Sequence, residues 1–292
     1  MFENYYRPTS LAEALSILKK YHGRARVVAG GTDLILQLIN REISAQALVD
    51  LTHIPNLRLI SKENGLIRIG SLVTHTDLAA SPLLLNAVPF LCEAADSIGS
   101  LQIRNVGTVG GNIVNAQPAA DTAVPLMTLN AVCKVVSAAG EREAPLAALY
   151  CPEGGTILDP GREILTEISF VPPGEEGGAG AFMRLARRKA VALPVFNVAV
   201  VLWTGEKEKI GAARIVMGPV ARVPFQAREA EKVLTGNPAR EHYFRQAAQA
   251  AAGEARPRDS RLRGSSNYRK KLTQVMVFRA LVKAWGNLGS RG

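Results

Sequence analysis

The stretch TVGGNIVNAQPAADTAVPL, residues 108–126, places two adjacent glycines after a Thr-Val pair and ends in a short acidic turn and an apolar run. A similar corner, AGGTD, occupies residues 29–33, between a strand-like run and a helix-like run. Glycine lets a backbone adopt positive φ and lets another group approach the main chain without meeting a Cβ. Each glycine pair therefore predicts either a tight turn or a cradle that holds a ligand close to the backbone.

The two corners share a hydrogen-bonding side chain directly after the glycines, Thr32 in the first and Asn112 in the second. Backbone N–H groups at such a turn, and at the helix that follows, form a concave donor surface that suits phosphate oxygens. Neither corner has the GxGxxG spacing of a Rossmann fold or the Lys-Ser or Lys-Thr of a Walker loop. Recurrence of the corner favours a dinucleotide site in which two loops hold a diphosphate.

Length and composition indicate a globular protein of two domains. The chain has 292 residues, of which 47% are hydrophobic, enough for a substantial core. No apolar run reaches the roughly 18 residues that a membrane span needs, and the N-terminal segment MFENYYRPTS has no apolar signal core. These features predict a cytoplasmic protein without a membrane span.

The net charge of +10 raises nucleic acid as a possible partner. Much of the excess lies in ARRKA at 186–190 and RPRDSRLRG at 256–264, without interleaved aromatic residues and without zinc-finger or helix-turn-helix spacing. An anionic cofactor or an acidic partner subunit accounts for such patches equally well. The prediction is a protein that binds no nucleic acid, and a basic nucleic-acid-binding protein is the alternative from another class.

The three cysteines, Cys92, Cys133 and Cys151, are widely spaced and form no CxxC pair. An iron–sulfur cluster is usually held by four thiolates, so this chain alone cannot hold one in that way. Free cysteine behaves as a small buried hydrophobe, and that is the role we expect for all three. The sequence predicts no metal site.

Residues 174–181, GEEGGAGA, are the most linker-like part of the chain, rich in glycine and charge. This segment predicts a boundary between a domain of residues 1–175 and a domain of residues 176–292. Beyond it, strand-like runs at 195–205 and 213–221 precede two long helical patterns. Strands followed by helices, instead of alternating with them, indicate an α+β domain.

Four segments carry a resemblance to a known family: AGGTDL at 29–34, IGSLVTH at 69–75, IRNVGTVGGNIVNAQPAADTAVPLMTLNA at 103–131 and RLRGSSNYRKKL at 261–272. They resemble the FAD-binding medium subunit of the molybdenum hydroxylases, which include bacterial xanthine dehydrogenases and aerobic carbon monoxide dehydrogenases. The resemblance covers nearly the whole chain in order, and the stretch from 103 to 131 is its most specific part.

This resemblance implies an α+β fold in two parts. The first would be an FAD-binding domain of the vanillyl-alcohol oxidase/MurB (PCMH) type over residues 1–175, with subdomains of about 1–55 and 56–175. The second, residues 176–292, would be a small α+β domain made of a three-stranded sheet and a helix bundle, packed beside the flavin.

The resemblance also implies which residues contact FAD. The two corners would wrap the pyrophosphate and ribitol, Asp121 would contact the cofactor, and Ile98 and Leu165 would lie beside the isoalloxazine. Residue chemistry alone also allows Asp121 to be an Asx turn or helix cap and the two apolar residues to be ordinary core. The implied contacts are Val27, Val28, Ala29, Gly30, Gly31, Thr32, Asp33, Leu34, Ile98, Thr108, Val109, Gly110, Gly111, Asn112, Asp121, Leu165 and Arg184.

No catalytic residue is predicted. His75 lies in a THTD turn, where a histidine is more typical of a cap or a surface position than of a catalyst. No Ser/His/Asp set or pair of carboxylates emerges elsewhere. Such an absence is consistent with a protein whose bound flavin carries the redox chemistry.

As a member of this family the chain would be an electron-transfer subunit. Electrons would pass from a molybdenum cofactor in a large subunit, through two-iron clusters in a small subunit, to FAD here and then to NAD+, a quinone or another acceptor. The complex would be a dimer of heterotrimers. The alternative is a free-standing FAD-dependent oxidase or reductase of the same fold, which would need an acid or base near the flavin. The sequence leaves the substrate and the acceptor open.

Overall fold

The computed structural model describes residues 2–188, 191–206 and 209–289, so Lys189 and Ala190 of the basic segment ARRKA lie outside the described residues. The first lobe, residues 4–50, is a parallel three-stranded sheet in the order β1-β3-β2 with two helices. Its elements are β1 (Asn4–Tyr6), α1 (Leu11–Tyr21), β2 (Ala25–Val28), α2 (Leu34–Ile39) and β3 (Ala47–Asp50).

Helix α1 begins where the sequence offers a cap and buries one face. The Ser10 hydroxyl accepts a hydrogen bond from the Glu13 backbone N–H at 3.2 Å, and Ala14 and Leu18 pack into the core. This packing supports β2, which ends at Val28 and delivers the chain directly into the first glycine corner.

The second lobe, residues 60–170, is an antiparallel five-stranded sheet in the order β4-β5-β8-β6-β7. Six short helices lie between β5 and β6, and the second glycine corner is part of α7. The elements are β4 (Ile60–Glu63), β5 (Leu66–Gly70), α3 (His75–Ala80), α4 (Pro82–Ala87), α5 (Pro89–Asp96), α6 (Leu101–Val106), α7 (Val109–Asn115), α8 (Ala123–Thr128), β6 (Val132–Ser137), β7 (Gly140–Pro145) and β8 (Glu163–Phe170).

The third lobe, residues 178–289, is an antiparallel sheet in the order β12-β11-β10-β9 with three helices. It has the three long strands that the family resemblance implies, together with a two-residue edge strand. The elements are β9 (Gly178–Ala186), β10 (Pro194–Thr204), β11 (Ile210–Gly218), β12 (Phe225–Gln226), α9 (Arg228–Leu234), α10 (Glu241–Glu254) and α11 (Ser266–Gly289).

Strand β10 is covered on both faces. Ala199 and Val201 belong to the hydrophobic core of the second lobe, whereas Val198 and Val200 pack with the helices of the third lobe. A strand buried on both faces reads as a continuous apolar run without alternation, which is the pattern of VFNVAVVLW. The sheet of the third lobe is therefore a shared wall between two cores.

The glycine-rich segment behaves as a connection only as far as Gly177, which ends a short turn in the left-handed region with φ 68°. From Gly178 onward it is a buried strand, so the predicted linker is too long by four residues. A Cβ on Gly178 would lie 2.7 Å from the Trp203 ring, and one on Gly180 would lie 2.4 Å from the Phe90 ring. These glycines allow close packing against aromatic side chains, and that need is invisible in the local sequence.

Within the described residues, no helix combines the length and the apolar character that crossing a bilayer requires.

Candidate functional site

A cavity of about 700 Å³ lies where the three lobes meet. This volume is within the range of pockets that bind small molecules and cofactors. All the residues predicted to contact a cofactor line the cavity except Val109. The Val109 side chain is fully buried in the core of the second lobe, and its backbone N–H donates to the Val73 carbonyl at 3.0 Å.

The first glycine corner presents free hydrogen-bond donors to this cavity. Gly31 has φ 68°, a left-handed conformation that glycine adopts without a Cβ penalty. The backbone N–H groups of Gly30, Gly31, Thr32 and Asp33 have no acceptor within the part of the chain that the structure describes. Successive free N–H groups at a turn form an anion-binding concavity, so this corner can hold phosphate oxygens.

The two corners are in direct contact through Gly30. An ideal Cβ on Gly30 would lie 1.9 Å from the Val106 carbonyl oxygen and 3.0 Å from the Gly107 nitrogen. Only glycine fits there, because any side chain would overlap the backbone that leads into the second corner. The absence of a side chain at Gly30 therefore allows two backbone segments of this chain to be in contact.

The second corner differs from the first because most of its backbone N–H groups already donate to acceptors in the protein. Thr108 caps α7, and its hydroxyl accepts from the Gly111 N–H at 3.1 Å. The Gly110 N–H donates to the Ser71 carbonyl at 2.9 Å, and a Cβ on Gly110 would lie 2.6 Å from that oxygen. The N–H groups of Val109 and Asn112 also have acceptors, the carbonyls of Val73 and Thr108. The second corner therefore offers fewer free backbone donors than the first, and its contact with a diphosphate stays a prediction.

Side chains supply the polar contacts of the second corner. The Thr122 hydroxyl donates to Asn112 Oδ1 at 2.8 Å, which orients the amide of this cavity-lining residue. Burial raises the pKa of Asp33, opposed by a hydrogen bond from Asn115 on α7. The hydrogen bond between Asp33 and Asn115 also connects the first lobe to α7 beside the cavity.

Ser71 and His75 are cavity-lining polar residues that sequence reasoning did not place in the site. Ser71 Oγ and His75 Nδ1 are both buried, and neither has a hydrogen-bond partner among the described residues. Burial, with a smaller contribution from the nearby Arg104 charge, lowers the pKa of His75 to about 4, so its ring is neutral near pH 7. The only available sequence signal was their position in IGSLVTH, one of the segments that carries the resemblance.

Asp121 is the centre of a buried polar cluster that joins the second and third lobes. Its carboxylate accepts hydrogen bonds from Arg184 Nε at 3.1 Å and from Asn197 Nδ2 at 2.6 Å. Burial raises the pKa of Asp121 to about 6, while the Arg184 charge and the hydrogen bond from Asn197 oppose the rise. Arg184 also donates from Nη2 to the Ala192 carbonyl, so two of its guanidinium nitrogens are bound to the protein.

Apolar side chains cover another part of the cavity wall. Leu165 on β8 is buried, and Ile98 lies in the turn between α5 and α6. Val191 and Leu193 join them from the third lobe, and Leu193 is 65% exposed. A hydrogen bond from the Val191 N–H to the Gly99 carbonyl, at 2.9 Å, fixes this segment against the second lobe. The wall suits a flat apolar ring.

The cysteines and acidic residues give no sign of a metal centre within the described ranges, where no three potential His, Cys, Asp or Glu ligands gather. Cys92 and Cys133 are buried, as predicted, and burial raises the pKa of both thiols. Cys151 is only partly buried.

The cavity combines a donor nest for phosphate, polar side chains and an apolar wall. FAD, the cofactor implied by the resemblance, has a matching combination of pyrophosphate and flat ring. The buried and unpartnered Ser71 hydroxyl and the free N–H groups of the first corner are groups that a bound ligand would satisfy. The residues present therefore fit this cofactor.

Comparison with protein families gives two matches that together span most of the chain. Residues 1–173 match the FAD binding domain in molybdopterin dehydrogenase, and residues 181–284 match the CO dehydrogenase flavoprotein C-terminal domain. The first model alone covers more than half of the sequence.

Individual relatives match this chain over nearly their full lengths. A putative xanthine dehydrogenase FAD-binding subunit of Escherichia coli is 30% identical over 291 residues, covering 99% of this chain and 98% of the relative. The carbon monoxide dehydrogenase medium chain of Afipia carboxidovorans is 34% identical over 282 residues, covering 96% of each chain.

Solved structures share the fold. Carbon monoxide dehydrogenase from Hydrogenophaga pseudoflava superposes with a TM-score of 0.91 at 29% identity, covering 98% of each chain. Quinoline 2-oxidoreductase from Pseudomonas putida gives a TM-score of 0.89 at 29% identity, covering 99% of this chain and 98% of that one.

Proposed function

The chain belongs to the family of FAD-binding subunits of molybdopterin dehydrogenases, and on that premise we propose that it holds FAD in the cavity between its lobes and relays electrons through it. The observation that carries this proposal is the row of free N–H groups at Gly30–Asp33, facing a cavity that all three lobes enclose. This corner is therefore a site for a large ligand with a phosphate group and not a solvent-exposed turn.

In this proposal each wall of the cavity has its own task. The first corner binds the pyrophosphate through backbone donors, and Asn112, Ser71 and His75 provide side-chain hydrogen bonds from the second lobe. The apolar side chains of Ile98 and Leu165 lie against the ring system. Asp121 shapes the cavity wall, and Arg184 holds the Asp121 carboxylate in place.

When bound, FAD supplies the redox chemistry by accepting electrons and passing them on. The protein residues bind and orient it and keep water from its buried side. His75 is neutral near pH 7 because of its lowered pKa, so it can hydrogen-bond without adding a charge to the site. The arrangement suits an electron-transfer subunit better than an enzyme with its own acid–base chemistry.

The assembly follows from the same family membership. We propose that the chain works with a large subunit that carries a molybdenum cofactor and a small subunit that carries two-iron clusters, as a dimer of heterotrimers. Its domains would be residues 1–175, with subdomains of about 1–55 and 56–175, and residues 176–292. The predicted cytoplasmic location is also part of this proposal.

Reconstitution with flavins tests the proposal directly. The purified full chain, stripped of bound flavin, should take up one FAD per chain with a visible flavin absorption band, and should bind riboflavin far more weakly. Riboflavin has the ring but lacks the pyrophosphate that the first corner would bind. A chain that binds no FAD, or that binds riboflavin as tightly as FAD, contradicts the proposal.

A further inference from the structure

Three arginines line the cavity, and they differ in how the protein binds their guanidinium groups. Arg26 donates to two backbone carbonyls at 2.8 Å, and Arg184 donates to the Asp121 carboxylate at 3.1 Å. The third is Arg263, whose Nε is buried and has no hydrogen-bond partner among the described residues. Buried guanidinium nitrogens are normally hydrogen-bonded, because leaving them unsatisfied is costly. Arg263 is thus the arginine of this cavity that a ligand would satisfy.

A closed turn just before α11 holds Arg263 at the cavity. The Ser260 N–H donates to the Gly264 carbonyl at 3.1 Å, and the Gly264 N–H donates back to the Ser260 carbonyl at 2.9 Å. The turn is also bound to the segment after β9, because Arg187 Nη2 donates to the Arg261 carbonyl at 3.1 Å. The backbone that carries Arg263 is therefore fixed by the protein itself.

Arg263 is also without a counter-charge. Burial lowers its pKa, and the neighbouring charge of Arg258 lowers that pKa further. No carboxylate forms an ion pair with Arg263 within the described ranges, and Asp259 Oδ1 accepts from the Ser266 N–H at 2.6 Å. Charges taken out of water are normally paired, so this position lacks an anion.

The surroundings of Arg263 belong to the wall proposed for the flavin ring. Val191 and Leu193, in the same lobe, line the cavity and are 56% and 65% exposed. Arg188 Nε donates to the Val191 carbonyl at 3.0 Å, next to the Arg187 contact with the turn. The free N–H groups that suit the pyrophosphate lie in the first lobe instead. The phosphates thus have donors of their own, and Arg263 is available to the ring.

We propose that Arg263 faces the isoalloxazine of bound FAD, stabilises the negative charge that the ring acquires on reduction, and so raises the reduction potential of the cofactor. This inference rests on the proposed function and assigns a role that residue chemistry alone did not give to Arg263. It requires reduced FAD to bind more tightly than oxidised FAD because of this one side chain.

The charge balance of flavin reduction explains why an unpaired arginine matters there. The oxidised ring is neutral, and it takes up two electrons and one proton from solvent, so the reduced ring keeps one negative charge. A cation beside the ring is attracted to that charge, and the attraction is stronger in a partly desolvated cavity than in water. Oxidised FAD offers Arg263 no such charge, so the arginine favours the reduced form.

A contact between Arg263 and the pyrophosphate would have a different signature. The phosphate charges are the same in oxidised and reduced FAD, so that contact would strengthen the binding of both forms equally. The two affinities measured side by side therefore distinguish a ring contact from a phosphate contact.

A redox titration of the FAD-loaded full chain tests the role of Arg263 without requiring turnover. Dithionite supplies the electrons, a dye of known potential serves as reference, and the flavin absorption band reports the reduced fraction. We expect Arg263→Gln to lower the preference for reduced over oxidised FAD by about tenfold, as loss of an interaction with a charged group predicts. For a two-electron couple this is a potential about 30 mV more negative.

Two further variants serve as controls. Arg263→Lys keeps the positive charge and should retain most of the wild-type potential. Arg261→Gln removes an equal charge from the same turn, at an exposed position that does not line the cavity, and should leave the potential unchanged. Thermal unfolding checks that each variant is folded, as expected for substitutions in a partly exposed turn.

The outcomes separate this inference from the proposed function. A wild-type chain that takes up no FAD contradicts both. Normal FAD uptake with equal potentials in wild type and Arg263→Gln overturns the role of Arg263 alone. Equal weakening of oxidised and reduced FAD binding in Arg263→Gln also overturns it, because that result places the arginine at the phosphates. A Lys variant with the same potential as the Gln variant would show that charge is not the cause.

Discussion

Three glycines of the two corners, Gly30, Gly31 and Gly111, lack a side chain for three different structural reasons. Gly30 touches backbone, Gly31 needs its left-handed φ of 68°, and Gly111 faces the cavity, where a Cβ would meet only Thr108 Oγ1 at 3.1 Å. A side chain added at each position would therefore affect a different property of the protein.

Gly30→Ala should lower the free energy of unfolding by at least about 2 kcal/mol, because its Cβ overlaps the Val106 carbonyl. Gly111→Ala should keep nearly wild-type stability and lose FAD affinity, since the new methyl enters the cavity. Gly253→Ala in α10 is the matched control, with nothing within 4 Å of its Cβ. Chemical denaturation and FAD titration measure both effects. Undiminished FAD affinity of the Gly111→Ala protein would show that FAD does not contact that corner.

His75 should make stability depend on pH in a defined window. Its folded pKa is about 4, below the ordinary value of 6.5, so the unfolded chain binds the proton more tightly. The contribution of His75 to the free energy of unfolding is complete above pH 6.5. It is lost as the pH falls towards 4, and the loss is about 2 kcal/mol at pH 5. His75→Gln should lose less stability between pH 7.5 and pH 5 than wild type, measured by urea denaturation. His242→Gln, at an exposed position on α10, should retain the wild-type slope.

At the scale of elements, the sequence predicted the glycine corners but not which of them carries free donors. Both read as a glycine pair beside a hydrogen-bonding side chain. The difference lies in long-range pairing, because the segment Ser71–Val73 accepts the hydrogen bonds of the second corner. No local pattern reports that pairing.

Strand β9 illustrates the same limit for the fold. The glycines of β9 predicted a flexible linker. Position 180 needs glycine for another reason, because the ring of Phe90, 90 residues earlier, occupies the space that a Cβ would take. Elements with strong local signals, such as α1 and its Ser10 cap, were predictable because their determinants are adjacent in sequence. The arginines of RLRGSSNYRKKL were predicted only as basic charge and as part of a resemblance segment. Arg269 is buried, and the sequence could not predict this because burial is a property of the folded chain.

The cluster around Asp121 connects the turn before α8 to β9 and β10, and Asp121→Asn should weaken that junction. The substitution leaves Arg184, whose side chain is 11% exposed, without its counter-charge. Removing one partner of a buried pair costs about 3 kcal/mol or more. Adding Arg184→Met should restore part of the loss, and thermal unfolding of both variants measures it. Equal losses in the single and double variants would show that the pair is not coupled.

At the scale of the whole molecule, the third lobe completes the core of the second. Phe182, Ala199, Val201 and Val216 of its sheet belong to the hydrophobic cluster built around α5 and α8. A boundary near residue 175 thus separates two sequence units without separating two independent cores.

A fragment of residues 1–175 should therefore be much less stable than the full chain. Without the sheet of the third lobe, the apolar faces of α5 and α8 would be exposed to solvent, which promotes association. Size-exclusion chromatography should find aggregates, and thermal unfolding should lack the cooperative transition of the full chain. A monomeric fragment with a sharp transition would show that the second lobe folds without that wall.

The contact between Gly30 and the Val106 carbonyl has a consequence for how fast the cofactor associates. Because that contact joins two backbone segments of the protein itself, the donor nest keeps its shape in the empty protein. Binding then requires little ordering of the loop, and the entropic penalty that mobile binding loops impose is small. Uptake of FAD should accordingly proceed in a single kinetic phase whose rate rises linearly with FAD concentration, as expected of a preorganised receptor.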